Sequence, residues 1–505
     1  MAVNSHHPLY DVMVDQWVKM RDCYAGPKAV KDKGVTYLPA TTGMEIDGMA
    51  VNADGWKAYQ KYRDRAVFPS FVADAVSISH GTMWRKMPTI ELPKGLEYMR
   101  SKATLQGETL EDLLSRINEM QMVTGRIGLL LDVLPSGEFY VSTYQAEDCI
   151  NWDDGTTDEA LGDVLNLVVL NESAYQRSTS DLFEWELIER YRVLLLGGGG
   201  EGTVAGAYSN GLYTQGEKGG EFLPGNMMNP VYRGTPLMKI PFVFINPKDI
   251  LAAPDNAPFL PVADDSLTVY RGEADYRQSL HQQGQDTLVV IGGDDSDKRV
   301  GAGAKLNVPQ GGDAKFIGVS SSGLPEQRQA LENDRKAVAY KTGQLISNMN
   351  STAESGNALQ IRVASQTATL NRIALAGARG LEALLQIAAE WMGLNPDDVK
   401  IIPNQDFADD KMTGKELGDL MTAKMLGAPI SDKTIHTQMR QRDLTDMTYE
   451  DELAEIQDEE PRNGGKGTGI TDPNQPNPVP NQPGNMDPNQ PNPNPDPNQP
   501  NNSGQ

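Results

Sequence analysis

Apolar residues in the first 125 positions fall mostly at helical spacing, and the period then changes along the chain. Trp17-Val18-Lys19-Met20-Arg21-Asp22-Cys23-Tyr24 reads as a short amphipathic helix that ends at Gly26-Pro27. Positions 56–66 and 71–84 continue in this style. Thr109-Leu110-Glu111-Asp112 is a capping arrangement, and Leu110, Leu113, Leu114, Ile117 and Met120 repeat at helical intervals behind it. After Gly125 the period shortens. The apolar run Ile127–Val133, the turn Pro135-Ser136-Gly137 and the alternating 139–144 predict a hairpin. A strand is expected at 164–170. Over 183–196, Phe183, Trp185 and Leu187 take one side, Glu184, Glu186 and Arg190 the other, until Gly197 breaks the pattern. Residues 197–236, dense in Gly, Asn and Pro, predict long loops, and 239–245 a last strand. Residues 1–260 thus read as an α+β unit.

A rod-like series follows. Asp264, Asp265 or Ser266 can cap a helix within 261–285 whose one face carries Leu267, Tyr270, Ala274, Arg277 and Leu280. Short strands are expected at 287–291, 304–308 and 314–319, within a small insert at 286–323. A second helix, 324–346, starts at Leu324-Pro325, where proline suits a first turn. Leu324, Leu331, Val338 and Leu345 recur every seven residues, flanked by Arg328, Glu332, Arg335, Lys336 and Lys341. A stripe this narrow suits a helix packed among a few neighbours. Residues 347–356 are small and polar. From 357 to 392 there is no proline, and Leu370, Ile373, Gly377, Leu381, Leu384, Ala388 and Trp391 keep helical period. At ~1.5 Å per residue that helix reaches about 50 Å. A brief strand is expected at 399–402 and two or three helices over 414–460. From Pro461 the repeat Asp-Pro-Asn-Gln-Pro-Asn predicts a disordered or polyproline-like tail over 461–505.

Charge changes the picture more than composition does. Lysine and arginine number 45 against 69 acids, a net charge of −24. Such a chain is unsuited to gripping DNA by neutralising its phosphates, but it can surround a duplex without adhering to it. The two cysteines, Cys23 and Cys149, argue against a disulfide scaffold or zinc site. No run approaches the ~18 apolar residues of a membrane helix, and the N-terminus lacks the pattern of a secretory signal.

A search for catalytic chemistry finds little. No phosphate-binding G-x-x-x-x-G-K-[ST] occurs, and Gly197 to Gly200 with Gly202 follow a strand without opening a helix. The five histidines, at 6, 7, 80, 281 and 436, form no zinc-binding spacing. Asp153-Asp154 and Asp294-Asp295-Ser296-Asp297 carry carboxylates suited to a hard cation, yet neither matches an EF-hand, and both read better as solvated turns. No catalytic, cofactor or metal site is expected, and the chain is expected not to be an enzyme.

Seven short motifs in order carry a resemblance: Met20-Arg21-Asp22-Cys23-Tyr24-Ala25-Gly26 with Tyr37-Leu38-Pro39; Met83-Trp84-Arg85-Lys86-Met87-Pro88 with Ile90-Glu91-Leu92-Pro93; Thr124-Gly125-Arg126-Ile127-Gly128 with Leu131-Asp132; Ile240-Pro241-Phe242-Val243; Ala274-Asp275-Tyr276-Arg277 with Leu280-His281; Glu354-Ser355-Gly356-Asn357-Ala358-Leu359; and Ala389-Glu390-Trp391-Met392-Gly393. Over residues 15–460 the chain resembles tailed-bacteriophage portal proteins, close to a portal-like family of unknown function. Trp84, where that family usually has phenylalanine, is a departure, and the tail lies outside the likeness.

The resemblance implies an α+β, mainly helical portal fold. Its parts would be a wing at 1–260, stem helices at 261–285 and 324–346, a clip at 286–323, and a tunnel loop at 347–356 with Asn348, Met349, Asn350, Ser351 and Thr352 facing DNA. A long helix at 357–393, a crown at 394–460 and the tail would follow. It implies a ring, usually of twelve copies, at a capsid vertex of the virion, assembled in the host cytoplasm. Double-stranded DNA would pass through non-specifically, and the partners would be the terminase packaging ATPase, capsid and scaffold proteins, and head-tail adaptors. On this reading Leu324, Leu331, Val338 and Leu345 pack between copies. Arg271, Arg277, Arg335, Lys336 and Lys341 are candidates for transient phosphate contacts or, alternatively, for ion pairs between subunits. Other readings are a different virion component, such as an adaptor or minor head protein, and a metal-dependent hydrolase built on an acidic cluster.

Overall fold

Helix forms where the apolar period is 3.6, and it begins earlier than the aromatic residues suggest. In the computed structural model, α1 (Pro8–Ala25) starts at a proline in its first turn, with the His7 ring accepting from the Leu9 amide at 3.1 Å. Tyr10, Met13, Trp17, Met20 and Cys23 form its buried face. The structure describes residues 2–155, 165–178, 180–197, 206–215, 221–225, 227–283, 287–291, 310–317, 323–344, 356–405, 414–441, 444–445 and 447–459. Next come α2 (Pro27–Asp32), α3 (Thr42–Ile46), α4 (Asp54–Arg65), α5 (Phe71–Met83), strand β1 (Thr89–Glu91) and α6 (Leu110–Val123). Thr109 caps α6 as expected, its hydroxyl accepting from the Asp112 amide at 3.0 Å.

Strands follow: β2 (Ile127–Val133), β3 (Phe139–Gln145), β4 (Cys149–Asp153), β5 (Leu167–Asn171), β6 (Ala174–Arg177), β7 (Trp185–Ile188), β8 (Arg190–Leu196), β9 (Tyr208–Gln215), β10 (Phe222–Pro224), β11 (Val231–Tyr232), β12 (Thr235–Pro236) and β13 (Phe242–Ile245). The predicted hairpin is β2–β3, and β13 joins it in the order β13-β2-β3. As the central strand, β2 is buried from Ile127 through Leu131, which is why it reads as a continuous apolar run. A second sheet runs β10-β9-β8-β5-β4, while β6–β7 and β11–β12 are separate two-stranded ribbons.

The long loops expected over 197–236 are corrected. β9 pairs with β8 from Arg190↔Thr214 to Leu196↔Tyr208. Its sequence, Tyr-Ser-Asn-Gly-Leu-Tyr-Thr-Gln, has no apolar alternation; Ser209 and Asn210 are buried because neighbours cover them, with the Ser209 hydroxyl donating to the Leu195 carbonyl at 3.2 Å. The single alternating strand read over 183–196 is also corrected. Phe183 lies outside it, β7 and β8 are separate, and they pair with β6 and β5.

The rest of the first unit is α7 (Leu260–Gln283), β14 (Thr287–Ile291), β15 (Asp313–Ile317), α8 (Leu324–Gln344), α9 (Gly356–Met392) and β16 (Lys400–Ile402). That unit spans Met1–Ala408, and a second spans Asp409–Gln505. It holds two apolar cores. One gathers α6, β2, β3 and β13; the other gathers α4, α5, α7 and α8. α9 serves both: Leu370, Ile373 and Ala374 belong to the second core, Leu381, Leu384, Leu385, Ala388 and Trp391 to the first. At ~1.5 Å per residue this helix is about 55 Å long. β16 pairs with β1, Thr89 opposite Ile402 and Glu91 opposite Lys400, and the Ile401 amide donates to Glu382 of α9 at 2.7 Å. This draws the first part of the expected crown into the same unit as the N-terminal helices.

The second unit contains α10 (Gly414–Met425), α11 (Asp432–Gln441) and α12 (Tyr449–Glu459). Ser431 and Thr448 cap the last two, each hydroxyl accepting an amide three residues on. The strand read at 304–308 and the tail 461–505 lie outside the described residues.

Asp148 gives the first unit a pH dependence. Its carboxylate accepts from the Gln145 amide at 3.2 Å, and burial raises its pKa from 3.8 to about 6. The folded state therefore keeps a proton that the unfolded chain releases. This contribution is full below about pH 4 and is lost as pH rises through 6. Asp148→Asn keeps an acceptor and removes the charge. Its stability relative to the parent should rise by about 2 kcal/mol between pH 4 and pH 7, read from urea unfolding at both pH values.

Candidate functional site

The segment most concentrated in cross-element charge is the α7–α8 pair. The two helices run antiparallel, since Asp265 meets Lys341 while Glu273 meets Arg335. Glu273 is the centre. It is 2% exposed, and it accepts from Arg277 on its own helix at 2.5 Å and from Arg335 on α8 at 2.7 Å. A desolvated carboxylate held by two guanidinium groups fixes the register of the pair. Around it the Tyr62 hydroxyl donates to Asp275 at 2.6 Å, Lys19 meets Asp264 at 2.7 Å, and the Tyr270 ring stands edge-on to Phe68. These contacts seat α7 on the N-terminal helices.

The cations expected at a channel are mostly engaged within the chain. Arg277 and Arg335 share Glu273, Lys341 pairs with Asp265, and Arg271 donates to the Tyr37 carbonyl at 2.9 Å. Lys336 is exposed and has no ion-pair partner among the described residues. The antiparallel register accounts for these pairs, because it brings the acids of α7 within reach of the bases of α8. Two positions of the apolar stripe, Leu331 and Val338, are 6% and 2% exposed and lie in one core with Leu267, Tyr270 and Val72 of the same chain. Leu324 is half-buried. Leu345, the loop residues Asn348, Met349, Asn350, Ser351 and Thr352, and the acidic group at 294–297 lie outside the described residues.

Glu273→Gln should destabilise the fold by about 2 kcal/mol, because the two guanidinium groups lose their anion while staying half-exposed to water. In chemical denaturation, Arg335→Met added to Glu273→Gln should cost less than the two changes measured separately.

Two features escaped the sequence reading. Arg126 was visible as part of a Gly-Arg pair, but not its burial. It is 0% exposed, its guanidinium lying 3.8 Å from the Phe244 ring centroid and 4.4 Å from that of Trp152, with one N–H donating to the Ala252 carbonyl at 2.7 Å. Desolvation lowers its pKa to about 10. The second is a buried amide chain. Asn118 donates to Gln121 at 3.0 Å, Gln121 to the Asn246 carbonyl at 2.8 Å, and Asn246 to the carbonyls of Leu251 and Ala253. Polar residues inside an apolar period give no advance sign of such a chain. It ties α6 to the connection that enters α7. Asp153, once a candidate cation ligand, accepts the Gly155 amide at 3.0 Å and caps a turn. Among the described residues no three His, Cys, Asp or Glu side chains are grouped to hold a metal, and no helix is long and apolar enough to cross a membrane.

The stretch from α7 through α9 coincides with a family match: the domain of unknown function DUF4055 covers residues 258–392. No curated protein matches the chain. Among solved structures, a chain in the neck of an empty GTA particle, computed with C6 symmetry, is 13% identical with a TM-score of 0.35, over 79% of this chain and 92% of that one. A chain from the virion of a native gene transfer agent particle is also 13% identical at 0.35, over 73% and 89%. A third, from the native particle's neck computed with C12 symmetry, is 12% identical at 0.34.

Proposed function

We propose that this chain is the repeating subunit of a portal-type ring in a phage-like virion, through which double-stranded DNA enters and leaves. The observation that carries the reading is the element order from Leu260 to Met392: a helix, a β-ribbon of β14 and β15, an antiparallel return helix, then one long helix anchored in both cores. This is the order of stem, clip, stem and long helix that the sequence resemblance implies. A net charge of −24 per copy suits a passage that a polyanion crosses without adhering. In this role the chain makes and breaks no covalent bonds. The ribbon end of the helix pair faces the packaging ATPase and later the head-tail adaptors, and the N-terminal layer faces capsid or scaffold.

Native mass spectrometry and negative-stain imaging of the full-length protein test the proposal. Closed rings with a central hole are expected. A monodisperse monomer at every salt and protein concentration would overturn it, and a closed assembly without a hole would favour another neck component.

A further inference from the structure

The residues ahead of α1 are held against β4, and His7 is the centre of the contact. β4 is an outer strand of the five-stranded sheet, and its register with β5 skips Ile150. The Ile150 carbonyl, which that bulge leaves over, accepts from the His7 amide at 2.9 Å. Asn151 Nδ2 donates to the Ser5 carbonyl at 3.0 Å, and Val3 packs on the first core. The half-buried His7 ring stacks on the Trp152 indole, centroids 4.0 Å apart and planes 16° from parallel. The segment thus occupies backbone of an outer strand that would otherwise be open to another chain.

The same ring caps α1. Nδ1 accepts from the Leu9 amide, so it carries no proton, and the neutral imidazole has its hydrogen on Nε2. Protonation fills Nδ1, turns the acceptor into a donor and removes the cap. It also sets a cation at a helix N-terminus, where the backbone amides already point their positive ends. A second cation is close by. The Arg126 guanidinium, 0% exposed and 4.4 Å from the same indole, has no carboxylate partner among the described residues, and its Nε and Nη2 are unpartnered.

Burial first and Arg126 second hold the His7 pKa below its ordinary 6.5, while Asp154 and Asp153 pull it up. The other groups nearby do not share this sense. His6 meets Asp11 at 2.8 Å, a contact that protonation of His6 strengthens. Glu147 is paired with Arg21 at 2.7 Å, and burial raises the Cys149 thiol to about 12. Asp148, raised to about 6, favours the folded state in acid. His7 has the opposite sign: a base that binds its proton less well when docked makes docking strongest above pH 6.5, and docking is lost as pH falls through the lowered value.

We propose that residues 2–7 form an acid-released clasp, in which protonation of His7 frees them from β4 and opens the backbone that they occupy. The proposal stands apart from the ring reading, since every contact in it lies within one chain.

Hydrogen exchange of the full-length protein at pH 7.5 and pH 4.5 tests it, read by mass spectrometry on peptides covering residues 2–10 and corrected for the intrinsic rate at each pH. Protection of the parent should fall about fivefold at the lower pH, the weight of one lost cap. His7→Asn supplies a capping acceptor that does not titrate, and it should stay protected at both pH values, within about twofold. His7→Ala lacks cap and stack and should be as open at pH 7.5 as the parent is at pH 4.5. Peptides from α6 should keep their protection throughout. A parent whose protection does not change, or a His7→Asn variant that is unprotected at pH 4.5, would overturn the clasp. So would loss of α6 protection over the same range, because the release would then be general unfolding.

Discussion

Leu331→Asp is expected to destabilise the first unit by about 4 kcal/mol. The side chain is 6% exposed and reaches to the backbone of Gly272, so that a methyl built there would sit 3.5 Å from the leucine Cδ1. An aspartate at that point is desolvated and lies one residue along α7 from the buried carboxylate of Glu273, a second like charge. The loss should be larger at pH 7 than at pH 4, where the new carboxyl can protonate, and Leu331→Asn should show no such pH difference. Urea titrations at the two pH values check this. A variant within 1 kcal/mol of the parent would mean that α7 and α8 do not depend on this contact, a threshold set by ordinary surface substitutions of about 0.5 kcal/mol.

The second large effect is expected from Gly377→Val. A Cβ at Gly377 would lie 2.5 Å from Asn118 Nδ2 and 2.8 Å from Gln121 Oε1. Those amides are 3% and 0% exposed and are bonded to each other and onward to Asn246 and the Trp84 indole. Valine must push them aside or lift α9 from α6. Overpacking costs about 1–3 kcal/mol, and each buried amide left without a partner about 1–3 more. A total near 4 kcal/mol is expected, measured by thermal or chemical unfolding. Adding Asn118→Ala should recover part of it, because it removes the group that the new methyls strike. No recovery would show that the clash with Gln121 sets the cost instead.

Helices were the most legible part of the sequence, since their burial follows local spacing. Leu370, Ile373, Leu381, Leu384 and Trp391 are buried as the period of α9 predicts. The hairpin β2–β3 was legible for a similar reason: a central strand is apolar throughout, and its turn contains Gly137 at φ +87°. What was not legible depends on residues distant in sequence. β9 looks like loop because its burial comes from β8, β10 and the Met228 bridge. The seven-residue stripe of α8 was visible, but a stripe does not say whether its partner is another copy or the preceding helix. The charges behaved likewise: Arg335 and Lys341 read as bases near a bore, and only the α7–α8 register shows that Glu273 and Asp265 take them. Arg126 lay in plain sight within a motif, yet the aromatic walls that enclose it come from β4 and β13.

The pairing of β1 with β16 sets a clock on biosynthesis. A ribosome that has delivered α1 through α8 has not yet made the strand that covers Ile90. The early layer must wait, incompletely closed, until almost the entire first unit has emerged. A nascent chain halted before Lys400 lacks this clasp, and Ile90 is left without its cross-strand neighbour Ile401.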